Sequence, residues 1–101
     1  MTARPLLAWL AAREPAPPPA LRAYLETAAS DAPPRASLPE QLAALGQRAL
    51  ARVTARVDGG RELALDLLAA DAFVTYAFEA QAETDVMELG ALAERVGRGA
   101  A

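Results

Sequence analysis

Two sets of charged side chains in this sequence are spaced to do chemistry. Arg48, Arg52 and Arg56 recur at i, i+4 and i+8, which lines guanidinium groups along one flank of a helix where they would suit an anion or a phosphate. From Glu62 to Glu94 run eight carboxylates, Glu62, Asp66, Asp71, Glu79, Glu83, Asp85, Glu88 and Glu94, with no basic residue among them. Carboxylate pairs can perform general acid–base catalysis, and carboxylate clusters in helical bundles can bridge metal ions.

The rest of the inventory removes most of that chemistry. His and Cys are both absent, whereas dimetal sites in bundles pair Glu with a Glu-x-x-His motif, and zinc, haem and copper sites rely on imidazole or thiolate. No metal and no other cofactor is expected. Nucleophilic catalysis has only Ser30 and Ser37 to draw on, one in a Pro-rich linker and one at a helix cap. Asp58 to Glu62, DGGRE, lacks the Lys-Ser/Thr of a phosphate-binding loop. The chain reads as a non-enzyme.

A plainer use for the arginines follows from the Asp58-Gly59-Gly60 turn. Folding the chain back there puts Arg56 opposite Glu62 and Arg52 opposite Asp66, so the charges would fix the register of a helical hairpin. Arg48 is left over and within reach of Asp71. That aspartate is the sharpest single feature, planted between Leu67, Leu68, Phe73 and Val74. A carboxylate buried among such neighbours must be paired or protonated. The expected reading is a structural Asp, either partly exposed or paired with Arg13, Arg22 or Arg48; the alternative is a contact to a ligand or partner. On a helical wheel Asp71 shares a polar seam with Thr75, Glu79 and Glu83.

The stretch LAADAFVTYAFE, Leu68 to Glu79, resembles the helix that trans-isoprenyl diphosphate synthases carry after their first Asp-rich motif, a pattern L-A-G-D-A-L-x-T-x-A-F-E. Ala70 stands in place of the Gly, and the D-D-x-x-D motif that binds magnesium and diphosphate in that family does not occur here. The resemblance therefore implies a tightly packed, all-helical environment and carries over no functional residue.

The elements that must position these residues are helical throughout. Every Pro lies at or before Pro39 and every Gly at or after Gly46, so the two halves are built differently. Leu6, Trp9 and Leu10 make a short amphipathic turn or two, and EPAPPP, from Glu14, gives a stiff connector ending with Pro at a helix start. Leu21, Tyr24, Leu25 and Ala28 then form one helix face, broken by SDAPPRAS. Ser37 and Glu40 make a capping box for a third helix, with Leu42, Leu45, Gly46, Ala49, Val53 and Val57 as its stripe. The fourth helix, from about Arg61 to Glu83, has two apolar groups: Leu63, Leu67, Ala70, Val74 and Phe78, then Leu65, Leu68, Ala72 and Tyr76. Such a helix needs cover on two sides. Asp85 with Glu88 offers a cap for a last helix on Val86, Leu89, Leu92 and Val96, closing at Gly97-Arg98-Gly99, unless the last two helices form one kinked rod.

The fold expected is all-α, a small bundle of four to five helices centred on an antiparallel helical hairpin. It forms one helical domain over 1–101, divided into a Pro-rich short-helix half, 1–36, and the hairpin plus C-terminal helix, 37–97. A net charge of −3 argues against nucleic acid and anionic membranes as partners, and the run Pro5 to Ala12 is too short and too weakly flanked for a signal peptide, so a cytoplasmic setting is expected. The function expected is protein–protein interaction, with a second copy as one form of partner. Two alternatives stand beside it: an apolar ligand pocket among Trp9, Tyr24, Phe73, Tyr76 and Phe78, and an acidic regulator docking a basic partner through Glu79, Glu83 and Glu88.

Overall fold

The computed structural model describes residues 3–56 and 60–100. Among them are five α-helices: α1 (Ala3–Ala11), α2 (Pro19–Ala28), α3 (Leu38–Ala55), α4 (Arg61–Thr84) and α5 (Leu89–Ala100), with single 3₁₀ turns at Ala29–Asp31 and Val86–Glu88. The protein is an all-α bundle with a helical hairpin at its centre, formed by α3 and α4. Asp58, Gly59 and Val57, which the sequence assigns to the hairpin turn and the end of the α3 stripe, lie outside the described residues. Gly60 holds φ at +113°, a conformation that L side chains rarely adopt, and opens α4.

Local chemistry sets the helix starts. Pro18 is extended (φ −57°, ψ 152°) and Pro19 opens α2, where its missing N–H leaves no bond unmade. At α3 the Ser37 hydroxyl accepts from the Glu40 N–H, and the Glu40 carboxylate accepts from the Ser37 N–H at 3.1 Å. Those contacts hold the Glu40 carboxyl below the usual carboxylate range. The α4–α5 junction is broken rather than continuous: Asp85 is extended (φ −158°) and its side chain accepts from the Met87 N–H at 3.1 Å. The cap expected at Asp85 thus serves the 3₁₀ turn, and α5 proper begins at Leu89. That last helix does not close at Gly97-Arg98-Gly99 but runs to Ala100, since glycine in a helix costs only about 1 kcal/mol and does not forbid it.

The core draws on every helix: Leu6 and Leu10 from α1, Leu21 and Leu25 from α2, Leu42 and Leu45 from α3, Phe73 from α4 and Leu92 from α5 are buried. The face α4 turns inward differs from both apolar groups expected for it. Asp66, Ala69, Ala70, Phe73, Ala77, Ala80 and Gln81 are buried, while Leu67 and Leu68 are 49% and 52% exposed. Close approach explains the choice. Gly46 of α3 lies so near α4 that a Cβ there would stand 2.9 Å from Val74 Cγ2 and 3.4 Å from Phe73 Cβ. Only a stripe of small residues admits a helix at that distance, so alanines take the contact and the leucines are displaced to its edges.

Candidate interaction surface

Asp66 is the buried carboxylate among the described residues, at 2% exposure. It accepts a short hydrogen bond from the Tyr24 hydroxyl and another from Arg56 Nε at 2.9 Å. The Tyr24 bond, followed by Arg56, holds its carboxyl below the usual range, and burial pushes the Tyr24 hydroxyl up. Arg56 also pairs with Glu62 at 3.1 Å. Arg52 does not meet Asp66 directly, as the hairpin register suggested, but donates to the Tyr24 hydroxyl at 3.0 Å. Tyr24 has taken the acceptor that Arg52 would have used, so the network ties α2 to both arms of the hairpin. Each of its buried polar side-chain atoms has a hydrogen-bond partner within the chain.

Asp71 takes the exposed form of the two expected for it, not the Arg-paired one. It is exposed, not buried, and makes no ion pair with any expected mate. Arg13 turns to Glu79 and Glu83, Arg22 pairs with Glu26 at 3.1 Å, and Arg48 donates to the Asp31 carbonyl. The cause is the Ala-faced burial of α4, which rotates Asp71 outward together with Leu67 and Leu68.

Two of the acidic positions already have company. Glu83 accepts from Trp9 Nε1 at 2.9 Å, and Arg13 lies 3.5 Å from Glu83 and 3.9 Å from Glu79. The Arg13 guanidinium stacks 3.5 Å from the Trp9 ring, which meets Tyr76 edge-on at 5.7 Å. This cluster docks α1 on α4. The sequence offered Arg13 only as a mate for Asp71, on the seam that Glu79 and Glu83 continue, and gave no signal for the bond from Trp9 to Glu83. Glu88 is exposed and forms no ion pair among the described residues. The five aromatics do not share a pocket: Phe73 is fully buried, Trp9 and Tyr76 pack on each other, Tyr24 belongs to the polar network, and Phe78 lies apart.

What remains without cover is the side of α4 turned away from α3. Between α4 and α5 runs a shallow groove of about 730 Å³, lined by Thr75, Phe78, Ala82, Leu89, Gly90 and Ala93, with Glu79 at its edge. Its lining is almost entirely apolar. Along the same helix edge lie Leu67 and Leu68, and beyond its end Val86 and Met87 are 57% and 86% exposed. Asp71, one turn from both Leu67 and Thr75, belongs to this exposed face. Among the described residues no cluster of carboxylates is arranged to hold a metal ion, and no helix is long and apolar enough to cross a membrane. No family model, curated protein or solved structure matches the chain.

Proposed function

We propose that this chain is a non-enzymatic helical interaction module, acting in the cytoplasm, that engages a protein through the α4–α5 face. The observation that carries the reading is the apolar groove between α4 and α5, lined by Phe78, Ala82, Leu89 and Ala93, with Leu67 and Leu68 exposed on α4 and Val86 and Met87 exposed in the turn that follows it. Single exposed apolar residues are ordinary, but several of them around an apolar groove are what protein interfaces are made from. The polar network around Asp66 supports the reading from the other side, because every buried polar side-chain atom in it has a partner within the chain.

The test is solution mass by light scattering across a wide concentration range, for the wild type and for the double substitution Leu68→Glu, Met87→Glu. A dimer that the double variant splits into monomers places a second copy on this face. A dimer that survives the variant puts the interface elsewhere and overturns the assignment. A wild type that stays monomeric assigns the face to a different protein, whose chemistry is argued next.

A further inference from the structure

Resting on the reading just given, we infer that the α4–α5 groove takes one amphipathic helix of another protein, with an apolar stripe laid in the groove and Arg or Lys along its flanks. Shape supplies the first argument. The groove runs between two helices, and its lining includes Ala82, Gly90 and Ala93, small exposed residues that let a third backbone come close; beside Gly90 a Cβ would meet nothing within 4 Å. Phe78 and Leu89, both half-buried, supply larger apolar walls. From Leu68 to Ala82 the exposed edge of α4 extends roughly 20 Å at the usual helical rise, enough for three to four turns of a docked helix.

Charge supplies the second argument, and it decides between a foreign helix and a second copy. Asp71 and Glu79 lie along the exposed edge of α4, and Glu83, Asp85, Glu88 and Glu94 are exposed at or beyond its end and on α5, while no basic residue occurs between Arg61 and Arg95. Arg13, stacked on the Trp9 ring, pairs with Glu79 and Glu83 at 3.9 and 3.5 Å and Arg98 with Glu94 at 3.9 Å, which leaves Asp71, Asp85 and Glu88 with no ion pair among the described residues. A second copy would bring a second set of carboxylates to the same seam. A helix flanked by guanidinium or ammonium groups would meet complementary charge on association, with its strength falling as salt rises.

The experiment uses two synthetic helical peptides with the same Leu/Ala stripe, one flanked by Arg and one by Glu, titrated against the full chain by fluorescence anisotropy. The Arg-flanked peptide is expected to bind at least about tenfold more tightly than the Glu-flanked one and to weaken as salt is raised. The uncharged pair Ala82→Gln, Gly90→Gln, which fills the groove without altering charge, should weaken it by about tenfold or more while the protein melts no lower than wild type. Equal binding of both peptides overturns the basic-helix inference and leaves the interaction module standing. Arg-peptide binding that the two Gln substitutions do not touch is adhesion to the acidic surface only, and overturns the groove. Binding of neither peptide to a monomeric chain overturns the inference and the module reading together, whereas a dimer split by the same Gln substitutions overturns the inference alone.

Discussion

At Asp66 a carboxylate 2% exposed accepts from Tyr24 and from Arg56, while Asp71 on the same helix stands in solvent with no ion pair among the described residues. Asp66→Ala takes away the acceptor that two donors share and should cost about 1–3 kcal/mol in chemical unfolding. Asp71→Ala should change stability by less than about 0.5 kcal/mol. Equal losses at the two sites would contradict their assignment. The pH dependence has a definite sign. Tyr24 and Arg56 favour the ionised Asp66 in the folded state, so the folded chain takes up this proton at lower pH than the unfolded chain. That contribution is complete above the unfolded value near ~4 and is lost as pH falls through the folded one. The melting temperature should therefore drop in this acid range, and Asp66→Asn should drop less steeply. Glu40, held low by Ser37, adds to the wild-type drop in the same direction and keeps the variant's curve from becoming flat.

Among the elements, the central hairpin and its caps were legible because their signals are local. Ser37 with Glu40, Pro39 between them and Pro19 at the head of α2 each act within one turn of chain. The pair Arg56–Glu62 was legible too, since it needs only a turn and a register. The buried face of α4 was not. A wheel ranks Leu above Ala, and from the area each residue can bury it assigns Leu67 and Leu68 to the core; the contact is chosen instead by how near α3 can come, and Gly46 sets that distance from another helix. With that face went the burial of Asp66, which the sequence assigned only to a hairpin pair. Gly46→Ala tests the explanation directly. Helix propensity alone would make it stabilising by about 1 kcal/mol, but the new methyl would press on Val74 and the α4 backbone, and a net loss of about 1–2 kcal/mol is expected from overpacking. A rise in melting temperature would show that α3 and α4 are free to separate.

For the whole molecule the cover is one-sided. α1 and α2 close the core with Leu6, Leu10, Leu21 and Leu25, and α5 closes it with Leu92, yet between them one flank of α4 stays open. The sequence showed that α4 has more apolar surface than one neighbour can bury; which flank is left over depends on where α1 docks, and that is decided by long-range contacts no periodicity encodes. Deleting residues 1–15 removes two buried leucines and Trp9. At about 1.5–3 kcal/mol for each leucine, this is a large part of the total stability of about 5–15 kcal/mol usual for a domain. The shortened chain should lose its cooperative melt, and an unchanged melting curve would mean that α1 is an accessory rather than part of the core.

Trp9 is the chain's one indole, and it is held at Glu83, an acid that also belongs to the rim beside the open flank. The same carboxylate therefore answers to the N-terminal helix and to any cation arriving at the rim. An incoming guanidinium that draws Glu83 away breaks the indole's hydrogen bond and alters the polarity around its ring. The protein thus carries its own optical reporter: emission from Trp9, with no label attached, would register occupancy of a surface that the indole itself does not line.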